Sequence, residues 1–379
     1  MNYINVLAAG NERGGAASHL LTLAKTVQQF DVQSIRMVLA GRGYLEQKLS
    51  EAGIAIRILE GNVPQVVAQL VDLQRSSDGT SLIHAHGPRM NLLSYLAVRK
   101  TRQPWTSTLH SDPRQDFLAS RWKTAVLTRI NLFCLNRTTG LFAVSPDFER
   151  IFPGKSVFFV PNAILPFHLS EDRLTYKANL CSQLGISIDA KLVGMAVRLD
   201  PVKDVATVLR AASQLPEDVH VVVAGDGPQR RELEASAAAL GIQDRVHFLG
   251  FLEDIHSFYA GLDVHVLASR SEGTGLSILE AGQIGVPNIG SQVAGIEQVI
   301  SNGKTGLTFP VGDDKALAAA IRDMLQDPKR ARLMAERFQT EVLPAFSPQG
   351  MLEAYLDGYR RILVHLSGSR RRWGGRTER

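Results

Sequence analysis

The stretch VHVLASRSEGTGLSILEAGQIGVP, residues 264–287, joins an apolar run to a polar, glycine-bearing loop and then to a helical pattern. The run Val264–Leu267 predicts a strand, and the helix is expected to begin near Leu276. Glycines in such a loop let the backbone approach a ligand, and the free N–H groups of a first helical turn favour an anion or a hydroxyl-rich partner. The stretch therefore predicts one strand–loop–helix unit of a parallel α/β sheet, with a ligand beyond the strand end.

The same alternation of short β-branched runs and amphipathic stretches extends in both directions from this unit. It is typical of parallel sheets covered on both faces. The predicted strands of the first half are 4–9, 35–40, 54–59, 81–85, 105–109, 140–144 and 157–160, and those of the second half are 191–197, 219–224, 245–249, 264–267, 286–289 and 306–309. The pattern predicts two doubly wound, Rossmann-like domains that face each other across a cleft.

The length of 379 residues also suits two domains. We expect an N-terminal domain at 1–168, a C-terminal domain at 169–345, a helix at 346–366 that packs back toward the first domain, and a disordered basic tail at 367–379.

Composition excludes several classes of protein. The 45% hydrophobic content argues against a disordered chain, and two cysteines, Cys134 and Cys181, cannot staple a chain of this size. No apolar run reaches the roughly 18 residues of a membrane-spanning helix, and the first residues lack the basic flank of a signal peptide. We expect a soluble, cytoplasmic protein.

The net charge of +5 hides an uneven distribution. Residues 1–155 hold 18 Lys and Arg against 11 Asp and Glu, residues 156–359 hold 17 against 25, and the last 20 residues hold 7 against 1. A basic first half and tail indicate either an anionic partner for that half or two domains of merely different isoelectric point.

The 264–287 stretch also carries a family resemblance. Glu272 and Glu280 are separated by seven residues, and the run from Ser271 to Pro287 is very similar to the donor-site signature of the family 4 glycosyltransferases. Other pieces follow in that family's order: GGAASH at 14–19, HAHG at 84–87, TLH at 108–110, VS at 144–145, VPN at 160–162, Arg198 with Lys203, AGDGP at 224–228 and FLG at 248–250. The resemblance covers roughly residues 1–340.

The resemblance implies the two-domain GT-B fold and a retaining, metal-independent, hexosyltransferase-type enzyme. Such an enzyme moves a sugar from a nucleotide-diphosphate sugar, with UDP favoured, to a hydroxyl acceptor. The acceptor would be a sugar, a glycolipid or a polysaccharide in bacterial cell-surface biosynthesis. No cofactor is implied, because the nucleotide-sugar is a substrate.

Basic residues just past a strand end suit this chemistry, because a departing diphosphate needs positive charge beside it. Arg198 and Lys203 lie on such a turn, and both can reach one phosphate pair. The sequence has no Asp-x-Asp motif and no Cys/His cluster, so no metal site is predicted and the phosphate charge must be met by cations and helix N-termini.

Site roles follow from the matching motifs. The resemblance implies catalytic roles for His110, Arg198, Lys203 and Glu272. It implies donor binding by Gly14, Gly15, Gly250, Phe251, Gly273, Thr274, Gly275, Leu276, Ser277 and Glu280. His84 and His86 are expected to pack at strand ends. The chain departs from the family pattern at Ala17, Ala163, Leu165, Val197 and Asp204, which leaves the acceptor open.

A possible anionic membrane surface is a second expected partner. The helix candidate 117–135 mixes Phe117, Leu118, Trp122, Ile130 and Phe133 with Arg121, Lys123 and Arg129. Such a stretch is typical of a helix lying on an anionic bilayer at the inner face of the plasma membrane, with the tail's Arg370–Trp373 run as an aid, or of a core helix with a cationic outer face.

Two other functions fit part of the pattern. A nucleotide-sugar 2-epimerase shares the fold, although the Glu272 and Glu280 signature argues against it. A nucleic-acid-binding protein would use the basic face, although no nucleic-acid partner is expected. A dinucleotide dehydrogenase is poorly supported, because no Gly-x-Gly-x-x-Gly opens either sheet.

Overall fold

The chain divides into two compact units. The computed structural model describes residues 2–76, 79–114 and 121–373. The first unit comprises Met1–Ala163 together with Ser347–Arg379, and the second is Ile164–Phe346. Residues 164–168, placed with the first domain by the sequence pattern, group with the second unit. The Phe167 ring stacks on the His256 ring, and the backbone N–H of Phe167 donates to Gln283 Oε1 at 3.0 Å.

The first unit is built on one seven-stranded parallel sheet. Its strands are β1 (Tyr3–Ala9), β2 (Ile35–Ala40), β3 (Ile56–Leu59), β4 (Ser81–His86), β5 (Trp105–Leu109), β6 (Gly140–Ala143) and β7 (Val157–Phe159). Their order across the sheet is β3-β2-β1-β4-β5-β6-β7. The order reverses between β1 and β4, and a ligand of a doubly wound sheet binds beyond the strand ends at that point.

The second unit repeats the design with six parallel strands. They are β8 (Lys191–Ala196), β9 (Val219–Ala224), β10 (Val246–Gly250), β11 (Val264–Leu267), β12 (Asn288–Ser291) and β13 (Leu307–Phe309). Their order is β10-β9-β8-β11-β12-β13, with Val264 of β11 paired to Val193 of β8. The reversal point here lies between β8 and β11.

Helices connect the strands and cover both sheets. They are α1 (Gly15–Gln29), α2 (Tyr44–Glu51), α3 (Val63–Arg75), α4 (Pro88–Thr101), α5 (Arg121–Leu135), α6 (Arg173–Leu184), α7 (Val205–Ala212), α8 (Arg230–Ala239), α9 (Ile255–Ala260), α10 (Leu276–Gln283), α11 (Ala294–Glu297), α12 (Asp314–Gln326), α13 (Pro328–Arg337) and α14 (Pro348–Trp373). Several begin at a side-chain cap, as where Asn62 and Gln65 form a capping box at α3.

The central strands are buried on both faces, and this is why they could be predicted from apolar runs in the sequence. Val6, Leu7 and Ala8 of β1 are all fully buried, although successive side chains point to opposite faces of the sheet. Strands buried on both faces read as near-continuous apolar runs. All thirteen predicted strands, and the two parallel sheets of Rossmann type, are confirmed in the described part of the chain.

The C-terminal helix α14 packs within the first unit. Met351, Tyr355 and Tyr359 are buried among its core side chains, and the backbone at Gly358 approaches the Phe142 ring so closely that an added Cβ would lie 2.2 Å from it. The helix extends past the expected end at 366 to Trp373, because no proline interrupts residues 349–373. Residues 374–379 of the expected tail lie outside the described residues. Of the helices described, none has both the length and the apolar character needed to cross a membrane.

Candidate active site

Two loops meet where the second sheet reverses its order. One follows β8 and carries Lys203, and the other follows β11 and carries Glu272. The Lys203 ammonium lies 2.5 Å from Glu272 Oε1, and the side chains are only 24% and 12% exposed. Ser269 Oγ donates to the same carboxylate oxygen at 2.6 Å. The predicted cation and the predicted carboxylate are therefore brought together, 69 residues apart in sequence.

Asp200 organises the loop that carries both predicted cations. Its side chain is almost completely buried, and Oδ1 accepts the N–H groups of Val202 at 3.0 Å and Lys203 at 3.3 Å. Oδ2 accepts Nε of Arg198 at 2.6 Å. The Arg198 side chain is 65% exposed, and within the described residues its two Nη groups have no hydrogen-bond partner. The guanidinium is thus fixed at one edge and open to a ligand at the other.

Further contacts lock the β11 loop against the β8 loop. The Arg270 N–H donates to the Val202 carbonyl at 2.7 Å, and the Arg270 guanidinium lies 2.9 Å from Asp204 Oδ2. Asp204 itself has a positive φ of 47°, so the residue that departs from the family pattern stands in a conformation that glycine adopts easily. The cationic loop is therefore held in one arrangement.

The N-terminus of α10 follows directly from the Glu272 loop. Gly275 precedes the helix with a φ of +69°, a left-handed conformation that favours glycine. The Ile278 N–H already bonds to the Gly275 carbonyl at 2.9 Å. Gly273 and Thr274 are buried beside it. The N–H groups of Leu276 and Ser277 belong to the first turn, whose donors have no intrahelical acceptor, so this end of α10 suits an anion.

Glu280 lies one turn further along α10. Its Oε2 accepts the Tyr259 hydroxyl at 3.2 Å. Burial raises the pKa of Glu280 to about 7, and the Tyr259 hydrogen bond lowers it by a smaller amount. Its partner Tyr259 has a pKa well above the ordinary tyrosine value, again because of burial. The two glutamates therefore occupy different environments, one ion-paired and one desolvated.

Gly250 is the last residue of β10 and Phe251 follows it, on the other side of β8 from β11. The Gly250 carbonyl accepts the Gly225 N–H at 2.6 Å, which ties their loop to the one after β9. Gly225 has a φ of +122°, and an added Cβ would lie 1.9 Å from the Val197 carbonyl oxygen. Phe251 is 45% exposed. An exposed ring beside a glycine turn suits stacking against a flat ligand group.

The predicted residues of the first unit lie at its own reversal point. Gly14 caps α1 with a φ of +67° and open space around it, and Gly15 begins that helix. His110 follows β5 and is partly buried. Its Nε2 lies 2.9 Å from Nδ1 of His86, the last residue of β4. His86 is thus the partner of His110, in addition to its packing at a strand end.

A chain of hydrogen bonds runs through the core behind this pair. His19 Nδ1 donates to Asn162 Oδ1 at 2.7 Å, because a carbonyl oxygen only accepts. Burial lowers the pKa of His19 to about 4, so the ring is neutral and its Nε2 accepts the Tyr355 hydroxyl at 2.8 Å. The Tyr355 oxygen in turn accepts the Thr108 hydroxyl at 2.9 Å.

The donor in each of the remaining hydrogen bonds follows from the donation by Thr108. Thr108 Oγ1 has given its own hydrogen to Tyr355, so it accepts from His84 Nε2 at 2.7 Å. His84 Nδ1 then accepts the Tyr359 hydroxyl at 2.5 Å. Burial holds the pKa of His84 well below its usual range. The side-chain carbonyl of Asn162 therefore orients every proton of this series of hydrogen bonds, which joins α1, β4, β5 and α14 within the first unit.

The structure brings the predicted residues together as two groups. In the second unit, Lys203 and Glu272 are in contact at the reversal point, Arg198 lies on the same loop as Lys203, and Glu280 lies on α10 after the Glu272 loop, whereas the Gly250–Phe251 turn lies at the end of β10, two strands from β8. In the first unit, Gly14 and Gly15 lie at the start of α1, and His110 follows β5. Sequence reasoning missed Asp200, Ser269 and Tyr259. Asp200 carried a weak signal, since aspartate in a turn often accepts a backbone N–H two residues on. Among the described residues, no three His, Cys, Asp or Glu side chains are placed to hold a metal ion.

Comparisons with known proteins agree with this arrangement. A model of the glycosyl transferase 4-like domain matches residues 2–167, and a model of the glycosyl transferases group 1 matches residues 178–340. Neither alternative function, the 2-epimerase or the nucleic-acid-binding protein, is favoured by these matches.

Individual relatives give the same assignment. The chain is 30% identical over 225 residues to the N-acetyl-alpha-D-glucosaminyl L-malate synthase of Bacillus anthracis, covering 58% of each chain. It is 31% identical to the lipopolysaccharide core biosynthesis glycosyltransferase LpsE of Rhizobium meliloti, covering 46% of this chain and 52% of that one. The alignments thus span little more than half the length of these curated relatives.

A solved structure shares the fold over nearly the whole chain. The crystal structure of Anabaena Alr3699/HepE in complex with UDP and glucose superposes with a TM-score of 0.80 at 22% identity, covering 94% of this chain and 99% of that one. Two Rossmann-type sheets, a donor-site signature at the second reversal point and two matching domain models have one explanation: the chain belongs to the family 4 glycosyltransferases of GT-B fold.

Proposed function

We propose that this protein is a retaining, hexosyltransferase-type glycosyltransferase that moves a sugar from a UDP-sugar to a hydroxyl group in the assembly of a bacterial surface polysaccharide or glycolipid. The observation that carries the proposal is the Lys203–Glu272 ion pair at the reversal point of the second sheet, with Arg198 held by Asp200 on the same loop as Lys203 and α10 beginning just after Glu272. This is the arrangement that a leaving diphosphate attached to a sugar requires.

The cations act on the leaving group. The Arg198 Nη groups, the Lys203 ammonium and the N–H groups of Leu276 and Ser277 would surround the diphosphate as negative charge builds on it. Preorganised donors of this kind stabilise a transition state without reorganising during the reaction. We propose that this charge is met by protein groups alone, with no metal ion and no cofactor.

The sugar and the nucleoside of the donor would be held by the residues on either side of the diphosphate. Glu272 and the backbone of Gly273, Thr274 and Gly275 would hold the sugar hydroxyls. Glu280 would accept hydrogen bonds from the ribose hydroxyls, and the Gly250–Phe251 turn would frame the base. These contacts would fix the anomeric carbon, so that catalysis rests on positioning as much as on charge.

Retention follows if attack and departure share one face of the sugar. The bond from the anomeric carbon to the phosphate oxygen breaks, and the bond to the acceptor oxygen forms on the same side. The acceptor proton passes to the departing phosphate oxygen, so no protein nucleophile is needed. From the first unit, Gly14 and Gly15 would approach the phosphates, and His110 would contact the reacting sugar.

The choice of substrates rests on the relatives. The structural neighbour was crystallised with UDP and glucose, and one relative is named for lipopolysaccharide core biosynthesis. The first supports a UDP-sugar donor, and the second supports a surface-glycan acceptor.

The outer face of α5 supports a membrane-associated acceptor. Trp122, Val126, Ile130 and Phe133 recur at helical spacing, and each is at least 40% exposed. Lys123 and Arg137 lie over the neighbouring rings of Trp122 and Phe133. The exposed face of the described residues 121–135 thus carries apolar side chains beside the basic Lys123 and Arg129, while Cys134 and Leu135 pack in the core. Phe117 and Leu118 lie outside the described residues.

We propose that this face binds an anionic membrane surface on the cytoplasmic side. Aromatic and aliphatic side chains would enter the interface while the basic side chains pair with headgroups. A peripheral position of this kind would bring the enzyme to a lipid-linked acceptor.

The reaction itself provides the test. Thermal melting with a panel of UDP- and GDP-sugars selects the donor, because a ligand that binds the folded state raises Tm. NMR of the sugar released from that donor, or transferred to a simple glycoside, then gives the anomeric configuration. The proposal predicts stabilisation by a UDP-sugar and a product of retained configuration; inversion or no turnover with any donor contradicts it.

A further inference from the structure

We propose that His86 is a positioning residue that fixes the tautomer of His110, so that His110 presents an N–H donor to the substrate. The inference rests on the role proposed above for His110. The observation behind it is the contact of 2.9 Å between His86 Nδ1 and His110 Nε2, at the ends of the adjacent strands β4 and β5.

Only one proton can lie between these two nitrogens. Burial, together with the neighbouring imidazoles, holds the pKa of both rings well below the ordinary value, so both are neutral. In a neutral imidazole one nitrogen donates and the other accepts. Either His86 donates from Nδ1 and His110 carries its own hydrogen on Nδ1, or His110 donates from Nε2 and its Nδ1 is bare.

The far side of the His86 ring selects between these arrangements. His86 is buried, and its Nε2 has no hydrogen-bond partner in the described structure. A hydrogen on Nε2 would be a buried donor without an acceptor, which is among the rarest and costliest features of a folded protein. The hydrogen therefore belongs on His86 Nδ1, where His110 Nε2 accepts it.

The surrounding core prevents the pair from rearranging. The His84 ring lies 4.3 Å from the His86 ring, and the His19 ring meets the His110 ring edge-on at 4.8 Å between centroids. His19 and His84 are themselves held by the oriented hydrogen-bond chain that ends at Asn162. Rotation of the His86 ring would thus disturb packing as well as the shared hydrogen bond.

The consequence for the reaction is specific. His110 Nδ1 carries the hydrogen and belongs to a partly exposed ring, so it can donate to a hydroxyl or phosphate oxygen. It cannot act as a base from that atom. The neutral His110 ring would therefore donate a hydrogen bond to an oxygen of the substrate across the physiological pH range.

Nitrogen-15 NMR of the ligand-free protein, labelled at histidine, tests the tautomer without any need for activity. The proposal predicts that His110 is protonated at Nδ1 and bare at Nε2, and that His86→Phe disturbs this state while His86→Asn, whose amide can place a donor near the same point, restores it. Protonation of His110 at Nε2 in the wild-type chain overturns the proposal, whatever the variants do.

Kinetics test the positioning role. We expect His86→Phe to lower kcat by about tenfold or more with little change in donor KM, and His86→Asn to recover most of that loss. In a His110→Ala background, His86→Phe should add nothing, because its effect passes through His110. An undiminished effect in that background means a structural role and contradicts the proposal.

A matched pair elsewhere serves as control. His220 Nδ1 lies 3.0 Å from His247 Nε2 near the beginnings of β9 and β10, at the strand ends opposite those that carry the site, and His247→Phe should leave turnover unchanged. If the wild-type chain transfers no sugar, the proposed function fails, while the NMR result still decides the tautomer.

Discussion

The Lys203 ammonium lies 2.5 Å from Glu272 Oε1, and this ion pair joins the loops that follow the two central strands of the second sheet. The Coulomb attraction within a pair that is largely shielded from water is stronger than within an exposed pair. Removing either partner would leave a poorly hydrated charge. If Glu272 contacts the donor sugar, as proposed, the ammonium would lie beside the bond that breaks. This relationship supports the central claim that the site is built to receive a leaving diphosphate.

Replacing Asp200 should destabilise the cationic loop. Asp200→Ala leaves the N–H groups of Val202 and Lys203 without their acceptor and frees Arg198. We expect a loss of about 2 kcal/mol in the free energy of unfolding. Urea unfolding measures it, with the exposed Asp189→Ala as control. Equal stability of the two variants would show that Asp200 does not organise the loop.

Nucleotide binding should depend on pH through Glu280. Its pKa of about 7 means that the carboxylate form, which is proposed to accept from the ribose hydroxyls, dominates above pH 7 and is lost below it. Between pH 8 and pH 6 the affinity for UDP-glucose should fall by up to about tenfold. UDP-glucose is the suitable probe, because it lacks the terminal phosphate whose titration near pH 6 would interfere.

Isothermal titration calorimetry checks the pH dependence, and Glu280→Gln is its control. The glutamine variant should bind more weakly at pH 8 and show little change between pH 6 and pH 8. An identical slope in both proteins would assign the titration to another group.

The Gly225 turn should not tolerate a side chain. Gly225→Ala combines a φ of +122° with a Cβ placed 1.9 Å from the Val197 carbonyl oxygen, whereas Gly241→Ala, at a φ of +68°, meets open space. We expect Gly241→Ala to cost about 1 kcal/mol and Gly225→Ala about 2 kcal/mol more. Thermal melting compares them; similar costs would mean that the close approach is relieved without penalty.

Vesicle binding should report the exposed face of α5. We expect Ile130→Asp and Trp122→Asp each to weaken co-sedimentation with vesicles of neutral and anionic phospholipid by about tenfold. Each variant loses an apolar side chain that would enter the membrane interface, and each gains a negative charge that the anionic headgroups repel. Leu333→Asp, on an apolar residue of the second unit whose exposure is close to that of Ile130, should bind as the wild type does. Raised salt should weaken binding. Wild-type protein that stays in the supernatant contradicts the membrane proposal.

Local patterns sufficed to predict the strands and the loops of the site. The β1 run and the Gly273–Gly275 loop are encoded in neighbouring residues, so periodicity and glycine placement locate them. Only a weak signal pointed to Asp200, because its role depends on a buried position that only the folded loop creates. The pairing of His86 with His110, and the contacts of Tyr355 with His19, depend on strand order and on residues up to 336 positions apart. No local signal contains that information.

The most direct test of the central claim is the pre-steady-state rate of sugar transfer in Arg198→Met, Lys203→Met and Lys203→Arg. Lys315→Met, an exposed lysine on α12, controls for net charge. We expect each methionine variant to slow transfer by about 100-fold or more while donor affinity changes far less, Lys203→Arg to recover part of the rate, and Lys315→Met to be unaffected. Transfer at the wild-type rate in both Arg198→Met and Lys203→Met would contradict it.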